Sequence, residues 1–357
     1  MPKKKLLHFI PSLGRGGAET LLVNVTRALT EFDHLIVTLD PAIHFEAAEI
    51  NAQVICLHLP SVGHYPKAVF RLRKLIGKYS PDLVHTHLYW PTVIARLAVP
   101  RSIPLVSTLH AFISGAPEYR KAYIRLLDRY SFRKRPSVLL AVAEGALKEY
   151  LSMLRASSAD SRVLHTFVDP AFFSSLAVDE KTDCAPFPMV SVGALREQKN
   201  QRLLLEALHQ LRHEPVALDL FGSGPLQEPL QQQLHQFPAN VTLKGEVRNI
   251  RTLLPHYSLF VMSSAYEGFS IAVLEAMALR IPLLLSDIAS FREQCGDTAV
   301  YFEPGNASDC ARKIRELMAD TATLKRNSDA AYHRVKNQYT MEQHLRGIRA
   351  VYHECLD

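Results

Sequence analysis

Short apolar runs alternating with helix-period stretches, over nearly the whole chain, most narrow what this sequence can fold into. The first half reads as strands Leu6–Ile10, His34–Leu39, Gln53–Leu57, Leu83–His85, Leu105–Thr108 and Val138–Val142. Helices Ala18–Leu29, Pro66–Tyr79, Thr92–Ala98 and Glu118–Phe132 fall between them. Strands alternating with helices belong in a parallel sheet covered on both faces. The stretch Ser174–Pro188, with Asp179, Glu180, Lys181 and Asp183 before Pro186 and Pro188, breaks the rhythm and reads as a linker. Alternation then resumes from Met189 to Phe302 and ends in helices Ala307–Met318, Thr321–Lys336 and Thr340–Glu354. The expected architecture is α/β: two doubly wound parallel-sheet domains, 1–175 and 176–336, and a helical tail, 337–357, that packs back on the first domain. Ligands in such sheets bind at the carboxyl ends of the strands, so two facing domains place the active site in the interdomain cleft.

With 48% hydrophobic and 21% charged residues, the chain can fill such cores, which excludes a disordered tail, a collagen or a coiled coil. No apolar run approaches the roughly 18–20 residues that a membrane-crossing helix needs. Leu6–Ile10 is too short for a secretory signal, so a cytoplasmic protein is expected, free or peripheral at the inner face of the membrane. The five cysteines are scattered without C-x-x-C spacing and read as free thiols. The net charge of +6 is uneven: residues 1–175 carry +9 and residues 176–357 carry −3. Residues 61–135 alone hold 14 basic and 3 acidic groups, a patch suited to a phosphate-bearing ligand or an anionic membrane. No nucleic-acid reader motif accompanies it, so nucleic acid is not an expected partner.

Three motifs follow strand ends. The turn Gly14-Arg15-Gly16-Gly17-Ala18-Glu19 lets backbone N–H groups approach an anion at the start of a helix, though a plain strand–helix turn has equal standing. Its spacing is not that of a dinucleotide fingerprint. In the equivalent place of the second domain stands Ser191-Val192-Gly193-Ala194-Leu195-Arg196-Glu197-Gln198-Lys199-Asn200. Two cations beside a helix N-terminus can neutralise a diphosphate, the alternative being a solvated loop capped by Asn200. The third motif is Glu267-Gly268-Phe269-Ser270-Ile271-Ala272-Val273-Leu274-Glu275-Ala276-Met277-Ala278. Helical side chains lean toward the N-terminus, so Glu275 can reach back to the strand ends, where a carboxylate suits a vicinal diol such as a ribose. The bland alternative is a buried carboxylate capping backbone donors.

With these motifs in place, the chain resembles the retaining family-4 glycosyltransferases of GT-B fold, two Rossmann-like domains facing a cleft. The likeness rests on the GGAE turn, the VGxLxxxKN stretch at 192–200, Phe221-Gly222-Ser223-Gly224-Pro225-Leu226, the turn at Gly245 and the Glu-x7-Glu element at 267–275. It implies a nucleotide-sugar donor, UDP-linked by default, bound by the second domain. Glu275 would take the ribose, Glu267 the sugar hydroxyls and Lys199 the diphosphate. The arginine usual after the motif's glycine is replaced by Ala194, and Arg196 is the candidate substitute. Gly193, Gly222, Gly224, Gly245, Glu246, Val247, Gly268, Phe269 and Ser270 would complete the donor pocket. Gly16 and Gly17 would meet the diphosphate from the first domain, and His110 would stand beside the reacting sugar.

The resemblance further implies retaining transfer to a glycan acceptor, lipid-linked or part of a cell-envelope polysaccharide or lipopolysaccharide. No D-x-D triplet occurs, so no metal or other cofactor is expected. No carboxylate pair suggests double displacement. Attack is therefore expected on the leaving-group face, the diphosphate's charge being met by Lys199, Arg196, loop amides and helix dipoles. The helix at 118–132 mixes Arg120, Lys121, Arg125 and Arg129 with Tyr123, Leu126 and Tyr130 and runs into Arg133 and Lys134. It reads either as a membrane or acceptor surface or as an ordinary surface helix. His85 and His87 share one strand face, but with no third ligand evident they read as packing first and an acceptor contact second. Competing readings are a GT-B-like sugar-nucleotide epimerase and a sugar-nucleotide-binding scaffold without catalysis.

Overall fold

The computed structural model describes residues 2–14, 16–157, 160–174, 186–236, 239–247 and 249–357. The chain divides into two compact units: residues 1–166 with 342–357, and residues 167–341. It passes from one to the other at Thr166/Phe167 and returns at Met341/Glu342. Most of the linker expected at 174–188 lies outside the described residues.

The first unit runs β1 (Lys5–Ile10), α1 (Gly17–Ala28), β2 (Asp33–Thr38), β3 (Gln53–Cys56), α2 (Tyr65–Tyr79), β4 (Leu83–His87), α3 (Tyr89–Ala98) and β5 (Leu105–Leu109). It continues α4 (Ala122–Lys134), β6 (Val138–Ala141), α5 (Glu144–Leu154) and β7 (Ser161–Val163). The seven strands lie in the order β3-β2-β1-β4-β5-β6-β7, all parallel. Alternation along β1 sorts the two faces. Leu7 and Phe9 join Leu72, Ile76, Ile94 and Ala98 of α2 and α3 in one core, and Ile10 joins Ala18, Leu22 and Val23 of α1 in the other. The second unit runs β8 (Phe187–Val192), α6 (Gln201–Gln210), β9 (Val216–Phe221), α7 (Gln227–Gln236), β10 (Val241–Gly245) and α8 (Ile250–Leu253). Then follow β11 (Leu259–Met262), α9 (Ile271–Ala278), β12 (Leu283–Ser286), α10 (Ala289–Cys295), β13 (Val300–Phe302), α11 (Ala307–Ala319) and α12 (Thr321–Gln338). Its six parallel strands are ordered β10-β9-β8-β11-β12-β13.

The last helix, α13 (Met341–Leu356), closes the first unit. The Tyr352 hydroxyl meets His85 Nδ1 at 2.7 Å, Arg349 Nε donates to Glu31 at 2.7 Å, and Arg162 pairs with Glu354. Helices α5, α8 and α10 and strand β7 escape the sequence reading. Helix α4 starts later than expected: Pro117–Arg120 is a separate 3-10 turn and Lys121 is the N-cap. Among the described residues, no helix is long and apolar enough to cross a membrane.

Candidate active site

Each sheet reverses its strand order beside its first strand, between β1 and β4 and between β8 and β11. Loops leaving the carboxyl ends of those paired strands diverge and leave a crevice. In the second unit the two loops are 193–200, after β8, and 263–270, after β11. Ser263 Oγ donates to the carbonyls of Lys199 (3.0 Å) and Asn200 (2.9 Å), and Ala265 N–H donates to Gln198 O at 2.9 Å. This stitching brings Lys199 Nζ to 2.5 Å from Glu267 Oε1, which also accepts from Ser264 Oγ at 2.6 Å. Glu267 is only 6% exposed, so Lys199 is its counter-ion as well as a candidate diphosphate ligand. Arg196 is exposed and has no ion-pair partner among the described residues. Asn200 occupies the N-cap position of α6 in the left-handed region, φ 49°, and its side chain makes no capping bond.

Helix α9, IAVLEAMA, is apolar apart from Glu275. No described residue donates to this carboxyl; burial, then the nearby Asp169, push it up to about 8. A recessed acid with no donor among the described residues is able to accept from an external one. Preceding α9, Gly268 is buried and Phe269 packs edge-on to Tyr339 with centroids 5.0 Å apart. The Ser270 hydroxyl points at Met262 Sδ (3.7 Å), while Gln294 clamps the Ser270 backbone, accepting from N–H (3.1 Å) and donating to C=O (2.7 Å). The 269–270 side chains thus serve packing, and Gln294, absent from the sequence reading, fixes the entry to α9.

The glycines of the adjacent loop have a structural duty. Gly222 has φ +138°, and a Cβ there would lie 2.0 Å from Gly193 O; at Gly224, φ +159°, it would lie 2.4 Å from Leu195 O. Backbone bonds seam these loops: Gly193 N–H to Phe221 O, Leu195 N–H to Ser223 O, and Gly222 N–H to Gly245 O, at 2.9, 2.9 and 2.8 Å. Gly193 in turn lies under the Lys199 side chain, 3.3 Å from its Cε to a built Cβ. Gly245 adopts φ +70°, Glu246 accepts from Ser223 Oγ at 3.2 Å, and Val247 is half-buried.

In the first unit, Gly16 is the N-cap of α1 and Gly17 its first residue; Arg15 lies outside the described residues. His110 follows β5, with Nε2 3.1 Å from His87 Nδ1. Burial holds His110 down to about 3, so it is a neutral imidazole. The expectation that His85 and His87 lack a third partner is corrected by the strand order. Register pairs His8 with His85, and one ring nitrogen from each of His8, His85 and His87 lies within 4.8 Å of the others. The local signal was a histidine inside the apolar run Leu6–Ile10; the pairing of β1 with β4 was not in it.

Helix α4 is amphipathic in reverse. Inward it buries Ile124, Asp128 and Ser131, and Asp128 accepts from Arg96 Nη1 (2.6 Å), Tyr119 OH (2.6 Å) and Tyr150 OH (3.0 Å). Outward it exposes Tyr123, Leu126 and Tyr130 by 59, 60 and 55%. Of its cations, Arg120, Lys121, Arg133 and Lys134 are exposed. Arg125 donates to the carbonyls of Tyr119 and Arg120, and Arg129 donates to Met153 O at 3.1 and 2.7 Å. These two are therefore committed to closing the ends of neighbouring helical turns, and four cations remain for a surface role.

Comparison with known proteins gives two family matches. Residues 15–172 match Glycosyltransferase Family 4 and residues 180–334 match Glycosyl transferases group 1. The putative teichuronic acid biosynthesis glycosyltransferase TuaC of Bacillus subtilis is 28% identical over 298 residues, covering 80% of this chain and 73% of TuaC. The N-acetylgalactosamine-N,N'-diacetylbacillosaminyl-diphospho-undecaprenol 4-alpha-N-acetylgalactosaminyltransferase of Campylobacter jejuni is 22% identical, covering 93% of this chain and 95% of that enzyme. The Anabaena HepE structure, in complex with UDP and glucose, superposes with a TM-score of 0.83 at 18% identity, covering 98% of this chain and all of the other, and so shares its fold.

Proposed function

Since the chain belongs to glycosyltransferase family 4, with the GT-B fold, we propose that it moves a sugar, with retention, from a UDP-sugar to a lipid-linked or cell-envelope glycan. The observation that carries this reading is that the segments following β8 and β11 of the second sheet present both the Lys199–Glu267 pair and, on α9, Glu275, a raised carboxyl with no donor among the described residues. Glu275 accepts from the ribose diol. Lys199, released in part from Glu267, turns to the diphosphate, and Glu267 then orients sugar hydroxyls. Arg196, exposed and without an ion-pair partner among the described residues, adds the second cation in place of the arginine missing at Ala194. As the glycosidic bond to phosphate breaks, negative charge grows on the leaving oxygen and these cations stabilise it more than they stabilise the intact donor. That oxygen takes the proton of the acceptor hydroxyl arriving on the same face. His110, neutral at working pH, positions a sugar hydroxyl rather than acting as an acid. With this set of cations and no D-x-D triplet, the transfer needs no divalent metal.

The acceptor side of the proposal is supported by α4, whose exposed Tyr123, Leu126 and Tyr130 stand among Arg120, Lys121, Arg133 and Lys134. Aromatic and leucine side chains flanked by cations suit the interface of an anionic bilayer, which supports a peripheral position at the cytoplasmic face. The Campylobacter relative, named for an undecaprenol-linked acceptor, agrees with this. The test is a thermal-shift panel of UDP, GDP and ADP and their sugars with EDTA present throughout. A ligand that binds only the folded protein raises its melting temperature. A rise with uridine nucleotides alone is expected. A rise confined to GDP- or ADP-sugars would overturn the choice of base, and no rise with any would overturn the donor site.

A further inference from the structure

The sheet face covered by α1 and α13 carries four histidines where a parallel sheet normally carries aliphatic side chains: His8, His34, His85 and His87. All are buried, and their hydrogen bonds fix much of their protonation. His34 Nε2 lies 2.9 Å from Leu29 O, and a carbonyl can only accept, so Nε2 carries the proton and Nδ1 the lone pair. That lone pair faces His8 Nε2 at 3.0 Å, so His8 Nε2 carries the proton there. The neutral His8 ring is therefore left with a bare lone pair on Nδ1. His8 Nδ1 is buried and finds no protein donor. His87 Nε2 is also buried without a partner, its Nδ1 being engaged by His110. His85 holds Tyr352 OH on Nδ1 and Thr108 Oγ1 on Nε2, each at 2.7 Å.

His8, His85 and His87 line a cavity of about 20 Å³ closed by Leu21, Leu22 and Val25 of α1 and by His344, Ile348 and Tyr352 of α13. Such a volume takes one small particle. We propose that His8 Nδ1, His87 Nε2 and His85 Nε2 bind one borderline divalent cation of the zinc class, as a structural site of the first unit. Three imidazoles without carboxylate suit zinc, cobalt, nickel or copper rather than magnesium or calcium. Histidine ligands are normally oriented by a partner on the other ring nitrogen, and each has one here: His34 for His8, His110 for His87 and Tyr352 for His85. Binding exchanges only the Thr108 contact. Zinc–nitrogen bonds of about 2.0–2.1 Å in tetrahedral geometry set the nitrogens about 3.4 Å from one another, and one nitrogen of each ring already lies within 4.8 Å of the others. The fourth tetrahedral position falls to the one water that the cavity can hold, the ion itself lying among the three nitrogens.

The full-length protein, stripped with dipicolinate, is titrated with Co²⁺ and with Zn²⁺. The expected result is one ion per chain, the d–d absorption of tetrahedral cobalt, and a raised melting temperature. In H8Q and H87Q cobalt binding is expected to weaken at least about 100-fold, and in Y352F about 10–100-fold. H333Q, at an exposed histidine, is expected to leave it unchanged. Trp90, ringed by Tyr65 and Tyr89 at centroid distances of 4.6 and 4.7 Å, reports through its emission that the first unit of each variant is folded. The wild-type titration decides the matter without the variants. Absence of stoichiometric binding and of any thermal shift means that the cavity holds water and overturns the site. Binding that survives both H8Q and H87Q places the ion elsewhere and overturns it equally.

Discussion

Glu275 offers the most demanding test, because one property of it sets both stability and ligand affinity. Its carboxyl titrates near 8 in the folded protein against 4.5 as an ordinary glutamate, chiefly through burial. The folded state therefore holds a proton that the unfolded state releases between those values, and stability falls as pH rises from 4.5 to about 8. Integrating the difference gives a penalty of about 1 kcal/mol at pH 5 and about 4.5 kcal/mol at pH 8.5. The conservative change E275Q keeps shape and removes the titration. Its gain over wild type, by calorimetry of the second unit's transition, is expected to grow by about 10 °C between those pH values. If the gain is the same at both, the carboxyl is not desolvated and the reasoning fails. Ligand affinity moves the other way. A ribose diol bound by the carboxylate must first have it ionised, so UDP-sugar affinity is expected to rise about 75-fold from pH 6 to pH 8.5, and E275Q to lose both affinity and this slope. Affinity that falls with pH in the wild type would refute the ribose assignment.

Further outcomes follow from the same geometry. K199A leaves the buried Glu267 without its counter-ion; a loss of about 3 kcal/mol in stability by urea denaturation and of about 100-fold in kcat is expected, against a small change in donor affinity. G222A forces a Cβ into Gly193 O, and at least about 3 kcal/mol is expected to be lost; wild-type stability would show that the loop seam yields. The triple change Y123S/L126S/Y130S touches only exposed groups, so the melting temperature is expected to hold while cosedimentation with anionic vesicles is lost; retained sedimentation would separate α4 from the membrane.

The alternation of apolar runs could be read directly because a strand buried on both faces has little choice of residue. The Glu267–Glu275 element and Lys199 stand out in the sequence because they sit in, or just beyond, the loops that leave the ends of β8 and β11, where local spacing decides position. What escaped depended on which strands are neighbours. His8 meets His85 only through the β1–β4 pairing, seventy-seven residues apart in sequence. Gly222 and Gly224 read as pocket glycines, but the approach of the 193–195 backbone is what demands them. Charge counting along α4 treated six cations alike, whereas carbonyls presented by Tyr119, Arg120 and Met153 engage two of them. The hydrophobic side of that helix was also misleading, since Arg96 and the two tyrosines around Asp128 allow a charge to face inward and leave Leu126 outside.

The return of α13 to the first unit means that this unit is made of two pieces of chain with the whole of the other inserted between them. During synthesis the inserted unit has all its strands before the first unit has its last helix, so the later segment can mature on its own while the earlier one waits. Until α13 arrives, the histidine face of the first sheet is open to water along one side, and Tyr352 is not there to hold His85. A stop codon near residue 340 would thus spare the half that it adjoins and cripple the half that the ribosome made first.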